Sequence, residues 1–227
     1  MAEQLTIELP VRPALGRDDF FVSPANREAL AAVDNWRNWP DGKLVLTGAR
    51  GAGKSHLAHV WAAEARARVL PASGLGGLAP DRVLQDARRL VVEDIDAVAG
   101  DPAHERALLH LHNMILAEDG RLLMTRRPGP VRFDLPDLQS RVQGSAVAAI
   151  APADDALLGA VLIKLFADRQ LHVDAAVIGF LSRRMERSLE QASHLVSALD
   201  ATALARGKKV GLRLAGEVLD KLSRERA

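Results

Sequence analysis

Eight consecutive residues carry the densest chemical signal in the chain. Gly48-Ala49-Arg50-Gly51-Ala52-Gly53-Lys54-Ser55 fits the pattern G-x-x-x-x-G-K-[ST]. Its glycines let successive backbone N–H groups turn inward around phosphate oxygens. A helix opening at Lys54 would aim its positive N-terminus at the same oxygens. In that arrangement Lys54 reaches the β- and γ-phosphates and the Ser55 hydroxyl ligates Mg²⁺. His56 closes the run, so 48–56 reads as a nucleotide-binding set for ATP or ADP with Mg²⁺. A second signal is Leu90-Val91-Val92-Glu93-Asp94, an apolar strand delivering acids at its C-terminal end. There Glu93 would hold Mg²⁺ through water and Asp94 would polarise an attacking water. The third is Asp137-Leu138-Gln139-Ser140-Arg141. A lone arginine is ordinarily a solvated surface group; this one precedes the last core strand, where a neighbour's nucleotide could be touched.

These residues need a scaffold, and its pattern is readable. Lys43 to Thr47, Val69-Leu70, Leu90 to Val92, Arg121 to Thr125 and Val147 to Ile150 are short apolar strands. A helix from about Lys54 to Arg68 follows the glycine-rich loop. Another over 103–117 places apolar residues at 107, 108, 111, 114 and 115, one helical stripe. Strands alternating with helices predict a parallel sheet with right-handed crossovers. Ser23-Pro24 reads as an N-cap and first helical residue. Ser73-Gly74-Leu75-Gly76-Gly77 reads as a flexible loop. After Pro152 only helical patterns persist, at 154–169, 174–187, 189–205 and about 214–224. Asp174 and Ser188 suit their N-caps and Gly207 a C-terminus.

Ahead of the core, Gln4-Leu5-Thr6-Ile7-Glu8-Leu9 alternates polar and apolar side chains before Pro10. A Gln amide can anchor such a segment while Leu5, Ile7 and Leu9 fill a partner's pockets. Packing of the same three side chains onto the protein's own surface is the other reading.

Composition narrows the classes. The 227 residues contain no cysteine, which removes disulfides, Cys-ligated zinc and a thiol nucleophile. Thirty Lys and Arg against 29 Asp and Glu leave a net charge of +1, not the footprint of a protein that coats nucleic acid by charge. Aromatics are 4% with no Tyr, too few for single-strand stacking platforms. No apolar run reaches the ~18 residues of a membrane span. Glu3 and Glu8 stand where a secretory leader would be cationic and apolar, so a cytoplasmic protein is expected. His110 and His112 are two apart on a helix and face different ways, which speaks against a metal site. Trp36 and Trp39 read as packing groups or as cover for the adenine-side edge. Arg206-Gly207-Lys208-Lys209 reads as a solvated helix end rather than a DNA contact.

Taken in order, the motifs resemble the DnaA-related AAA+ ATPases. The resemblance rests on Phe20 to Asn26 (FFVSPAN), Gly48 to Leu57 (GARGAGKSHL) and Val91 to Asp96 (VVEDID). It continues through Leu122 to Pro130 (LLMTRRPGP) and Leu135 to Val142 (LPDLQSRV), and covers nearly the whole chain. Within that family the chain looks most like the Hda-like regulators. It ends at Ala227 after the helices, where DnaA-like chains continue into a helix-turn-helix domain, and Gln4 to Leu9 looks like a sliding-clamp-binding peptide. The resemblance implies an α/β fold: an AAA+ P-loop core with a parallel sheet flanked by helices at 23–151, and a small all-α lid domain at 152–227. A clamp-binding tail at 1–22 precedes them, with Gln4, Leu5, Ile7 and Leu9 as its contacts. It further implies that Arg141 is an arginine finger inserted beside ATP held by the initiator DnaA. The partners implied are DnaA, the sliding clamp, DNA through the clamp, and a nucleotide-linked homodimer.

Three departures from the family pattern bear on the chain's own nucleotide. Glu93 stands where the family usually has Asp, and Arg126-Arg127 follow Thr125 where an Asp is usual. Glu190 falls at the place of a lid arginine, with Arg187 one turn earlier on another register. Together they predict weak or absent hydrolysis of the chain's own ATP and a preference for a diphosphate. Two rivals stay open: a stand-alone ATPase of helicase-loader type, and a small-molecule kinase, which would need an acceptor pocket and lid arginines.

Overall fold

The computed structural model describes residues 20–77, 84 and 87–225. Gln4, Leu5, Ile7 and Leu9 lie outside the described residues. Five strands form one parallel sheet: β1 (Lys43–Gly48), β2 (Arg68–Pro71), β3 (Arg89–Glu93), β4 (Arg121–Arg126) and β5 (Ala146–Ile150). Their order is β2-β3-β4-β1-β5. The three inner strands, β3, β4 and β1, carry unbroken buried apolar runs, as strands covered on both faces must. Register sets Thr47 opposite Arg126 on one side and Ala149 on the other.

Alternation along each strand divides its side chains between two cores. Leu44, Leu46, Val91 and Leu123 pack against α1 (Arg27–Asp34) and α2 (Lys54–Ala65). Val45, Leu90, Val92 and Leu122 face α3 (Pro102–Ala117) and α4 (Pro136–Gln143). After β5 come four helices around their own core: α5 (Asp155–Asp168), α6 (Ala175–Arg184), α7 (Leu189–Arg206) and α8 (Leu212–Arg224). Leu158, Leu162, Leu181, Val196, Leu199 and Ala215 are wholly buried there.

Several local expectations are corrected. The first helix starts at Arg27 and not at Pro24. Ser23 and Asn26 instead close a turn with their side chains: Asn26 Oδ1 accepts the Ser23 N–H at 2.9 Å and Ser23 Oγ accepts the Ala25 N–H at 3.1 Å. The stretch expected as a loop is a 3₁₀ helix, Ala72–Gly77, because Leu75 is fully buried against the α3 face. Helix α2 stops at Ala65, where Arg66 turns left-handed and frees the chain for β2. Helix α4 lies where the sequence shows no helical period; Pro136 at its start and eight residues of length hide it.

Ser188 caps α7, its Oγ accepting the Gln191 N–H, and Gly207 ends that helix in the left-handed region. Trp36 and Trp39 are packing groups, both buried against Trp61 with ring centroids 6.3 and 5.0 Å away. Among the described residues no helix is long and apolar enough to cross a membrane.

Candidate nucleotide-binding site

Strand β1 ends at Gly48, and residues 49–53 wrap over its end into α2. Two glycines make the wrap feasible. Gly51 has φ +70° and Gly53 φ +101°, both in the left-handed region that a side chain strains. Gly51 is also tight against the helices that follow the sheet: a Cβ there would collide with Ser188 Oγ. Lys54, the first residue of α2, is buried and folds back, donating from Nζ to Gly48 O at 2.9 Å and Ala49 O at 3.1 Å. Burial pulls its pKa down against the raising effect of Asp94 and Asp96. That lysine, held with its charge over a ring of backbone turns, is a ready phosphate ligand.

A cavity of about 900 Å³ opens beside this loop, between the end of the sheet and helices α5 and α7. Arg50, Gly51, Gly53, Lys54, Ser55 and His56 line it on the loop side. Gly48, Ala49 and Ala52 are not among its lining residues; Ala52 is buried behind the loop. From the end of the sheet Asp94 and Asp96 face it, and from the helices opposite Asp168 and Glu190 do. Asp94 takes a left-handed conformation, φ 54°, with its N–H donating to Thr125 Oγ1 at 3.0 Å. Glu93, one residue earlier, alternates to the α2 face. Its Oε2 lies 3.9 Å from His59 Nε2 and its buried Oε1 has no hydrogen-bond partner. So Ser55 and Asp94 share the cavity, and Glu93 does not line it.

The far wall is built from the C-terminal helices. Val161, Leu165 and Leu189 give it an apolar strip suited to a flat organic face, beside the polar Lys164, Asp168, Arg169, Ser193 and His194. The Leu189 N–H donates to Gly51 O at 2.8 Å. Next to it Glu190 grips Arg50 through two hydrogen bonds, Nε to Oε2 at 3.0 Å and Nη2 to Oε1 at 2.8 Å. Arg127 is held likewise: Asp96 Oδ2 accepts from its Nε at 2.6 Å and Oδ1 from its N–H at 3.1 Å. Burial pushes the Asp96 carboxyl up, but the Arg127 hydrogen bonds outweigh it and the net shift is downward.

The donor set suits Mg²⁺, which prefers hard oxygens, keeps several waters and is usually held by one or two carboxylates plus substrate phosphates. The Ser55 hydroxyl and the Asp94 carboxylate in one cavity meet that need. Among the described residues no three His, Asp or Glu side chains form a metal cage. His112 is buried and His110 exposed on opposite sides of α3.

Arg141 sits elsewhere. It lies in the last turn of α4, half exposed, with its Nε 3.6 Å from Asp137 Oδ1. Its backbone carbonyl accepts from Lys43 Nζ at 3.3 Å and from Ser145 Oγ at 2.9 Å. Lys43 opens β1 and Gly48 closes it. Five strand steps of roughly 3.3 Å put about 16 Å between those two ends. Arg141 therefore flanks the end of β1 opposite the phosphate loop.

No protein-family model matches the chain. Among solved structures, domain III of the Thermotoga maritima replication initiation protein DnaA superposes with a TM-score of 0.81 over 94% of this chain and 98% of that one, at 19% identity. A replication initiator DnaA bound to AMPPCP and single-stranded DNA gives 0.69 over 86% and 68%, at 16% identity. The Thermotoga maritima RuvB Holliday junction branch migration motor gives 0.66 over 92% and 72%, at 14% identity. The chain has the AAA+ domain fold.

Within this fold the phosphate loop, Asp94 and the two held arginines surround one space. Sequence reasoning missed Asp96 as a cavity residue, although it stands in the same acidic run. Arg127 was singled out only as a departure from pattern, and its clamp on Asp96 crosses from β4 to the turn after β3. The buried Glu105 gives no sequence signal, since a Glu in a helix's first turn reads as a solvated group.

Proposed function

We propose that this AAA+ protein binds ADP or ATP with Mg²⁺ and, held on the sliding clamp, promotes hydrolysis of ATP carried by the replication initiator DnaA. The product, DnaA with ADP, cannot re-initiate. The observation that carries the reading is the separation of Arg141 from the chain's own phosphate loop, with β1 between them. An exposed guanidinium at that distance has nothing to do for its own nucleotide and is free to enter a neighbour's. An arginine supplied in trans neutralises charge on the transferring phosphoryl and is worth about 10³- to 10⁵-fold in rate.

In this reading, 1–22 is a clamp-binding tail, with Gln4, Leu5, Ile7 and Leu9 docking on the clamp, so that DNA is reached through it. Residues 23–151 are the nucleotide-binding core and 152–227 its lid. Gly48 to His56 hold the nucleotide, with Lys54 on the phosphates. Ser55 and Glu93 serve Mg²⁺, and Asp94 orients water. Because Glu93 turns toward His59, the Mg²⁺ contact through it requires a change of rotamer. Glu190, beside the phosphate loop, disfavours the extra charge of a triphosphate, which supports a preference for the diphosphate. Self-association into a nucleotide-linked dimer would use the same Arg141 face.

The test is hydrolysis of ATP pre-bound to DnaA, with and without this protein, on free DNA and on DNA loaded with clamp. Acceleration that requires both protein and loaded clamp supports the reading. Equal rates with and without the protein, with clamp binding verified, remove it.

One observation favours a second reading, a stand-alone ATPase of helicase-loader type: Asp94 shares the cavity with Lys54 and Ser55. It predicts steady ATP turnover by the pure protein that Lys54→Ala abolishes.

A further inference from the structure

A buried carboxylate lies on the α4 side of the sheet, outside the nucleotide cavity. Glu105, in the first turn of α3, is 0% exposed. Its Oε1 accepts the Gly100 N–H at 2.7 Å and the Asp134 N–H at 3.0 Å; its Oε2 accepts the Leu135 N–H at 2.8 Å. A carboxylate withdrawn from water is costly unless its lone pairs find donors, and three charge-assisted bonds supply most of them here.

The donors come from two places. Gly100 lies between the acidic end of β3 and α3. Asp134 and Leu135 end the loop that enters α4, and Leu135 is the N-cap of that helix. A neighbouring bond tightens the same turn, Gln139 Oε1 accepting the Phe133 N–H at 2.8 Å. At its other end α4 is held by Lys43 and Ser145 on the Arg141 carbonyl. Leu135 to Arg141 is six residues, about 9 Å of helix at ~1.5 Å each. A tilt at the N-cap pivots α4 about that held end and so changes the direction in which the guanidinium projects.

We infer that Glu105 is a positioning residue for Arg141: it fixes the N-cap of α4 and so the place where the guanidinium meets a neighbouring molecule's phosphates. The inference rests on the reading of Arg141 as a finger acting in trans. A glutamine cannot replace the carboxylate. Whichever way the amide is turned, its NH₂ faces at least one of the three N–H donors, donor against donor.

The experiment compares the full-length wild type with Glu105→Gln and the milder Gln139→Ala in two measurements. The first is the maximal rate, and the concentration at half-maximum, of stimulated hydrolysis of DnaA-bound ATP on clamp-loaded DNA. Misplacement by about 1 Å can cost up to roughly 100-fold. The expected result for Glu105→Gln is a 10- to 100-fold lower maximum, by that same scale. Its half-saturating concentration and its own ADP affinity stay as in wild type. Gln139→Ala falls between the two.

The second measurement is amide hydrogen exchange. In Glu105→Gln, residues of α4 lose protection while those of α2 keep theirs. Unchanged α4 protection, or a parallel loss throughout the chain, overturns the inference. So does a wild-type maximal rate. If even the wild type fails to stimulate, the reading of Arg141 has failed. Exchange then decides separately whether Glu105 holds α4 in place.

Discussion

The two ends of β1 are built in opposite ways. At its C-terminal end the chemistry is local: consecutive residues from Gly48 to Ser55 bend around one point, and two left-handed glycines allow it. At its N-terminal end an exposed guanidinium, Arg141, is placed by residues scattered over the chain. Lys43 and Ser145 hold its carbonyl, and Glu105 and Gln139 hold the turn that launches its helix. Binding a phosphate needs many backbone N–H groups close together, which a contiguous loop supplies. Presenting a single charge to another molecule needs a rigid mount, which only the tertiary fold supplies.

That contrast can be broken or sharpened. The largest expected effect is at the phosphate end. Lys54→Ala removes a buried charge-assisted ligand and weakens the protein's own nucleotide binding by about 100-fold, read by equilibrium titration with ADP. Arg141→Ala, tested alongside, leaves that affinity within about 2-fold, since a side chain with no contact to a ligand adds little. Loss of ADP binding in both variants would merge the two ends into one site.

Next comes the Arg50–Glu190 pair. Glu190→Ala removes a carboxylate beside the phosphates and frees Arg50, so ATP gains on ADP by roughly tenfold, about 1.4 kcal/mol. An unchanged ATP-to-ADP ratio would mean that Glu190 does not sense the terminal phosphate.

A smaller effect is expected from the cap of α7. Ser188→Ala deletes the Oγ that accepts the Gln191 N–H and costs about 1 kcal/mol of stability, measured as a shift in urea midpoint. The smallest lies at the Arg141 end. His112 is buried, and burial, opposed in part by its Asn113 hydrogen bond, holds its pKa below the ordinary 6.5. The folded protein keeps it neutral while the unfolded chain takes up the proton. Its contribution is therefore complete above about pH 6.5 and declines as pH falls below that value. His112→Gln should lose less stability than the wild type between about pH 7.5 and pH 5.5 in urea titrations. Equal losses would contradict that assignment.

The ease of reading the sequence follows the same divide. The phosphate loop, the acidic strand end and the alternation of strands with helices were visible because each is a pattern of neighbours. The inner strands stand out as Leu-Val runs, and Ser188 and Gly207 announced the limits of α7. The Ala72–Gly77 turn was hidden by its glycines, since nothing local says that Leu75 is buried. Helix α4 was hidden by its brevity. Arg50 and Glu190 are 140 positions apart, and no spacing rule could join them. Glu105 is the sharpest case: a Glu in a first helical turn is ordinarily solvated, and only the fold brings the Asp134 and Leu135 N–H groups onto it. The AAA+ fold was legible; the contacts that hold both ends of the Arg141 helix were not.

The most direct test of the central claim is single-turnover hydrolysis of ATP pre-loaded on DnaA, on clamp-bearing DNA, with wild-type protein and with Arg141→Ala at saturating concentration. The account predicts rapid hydrolysis with the wild type and a loss of about 10³-fold or more with the variant, with clamp and ADP binding intact in both. Hydrolysis by Arg141→Ala at the wild-type rate would contradict it.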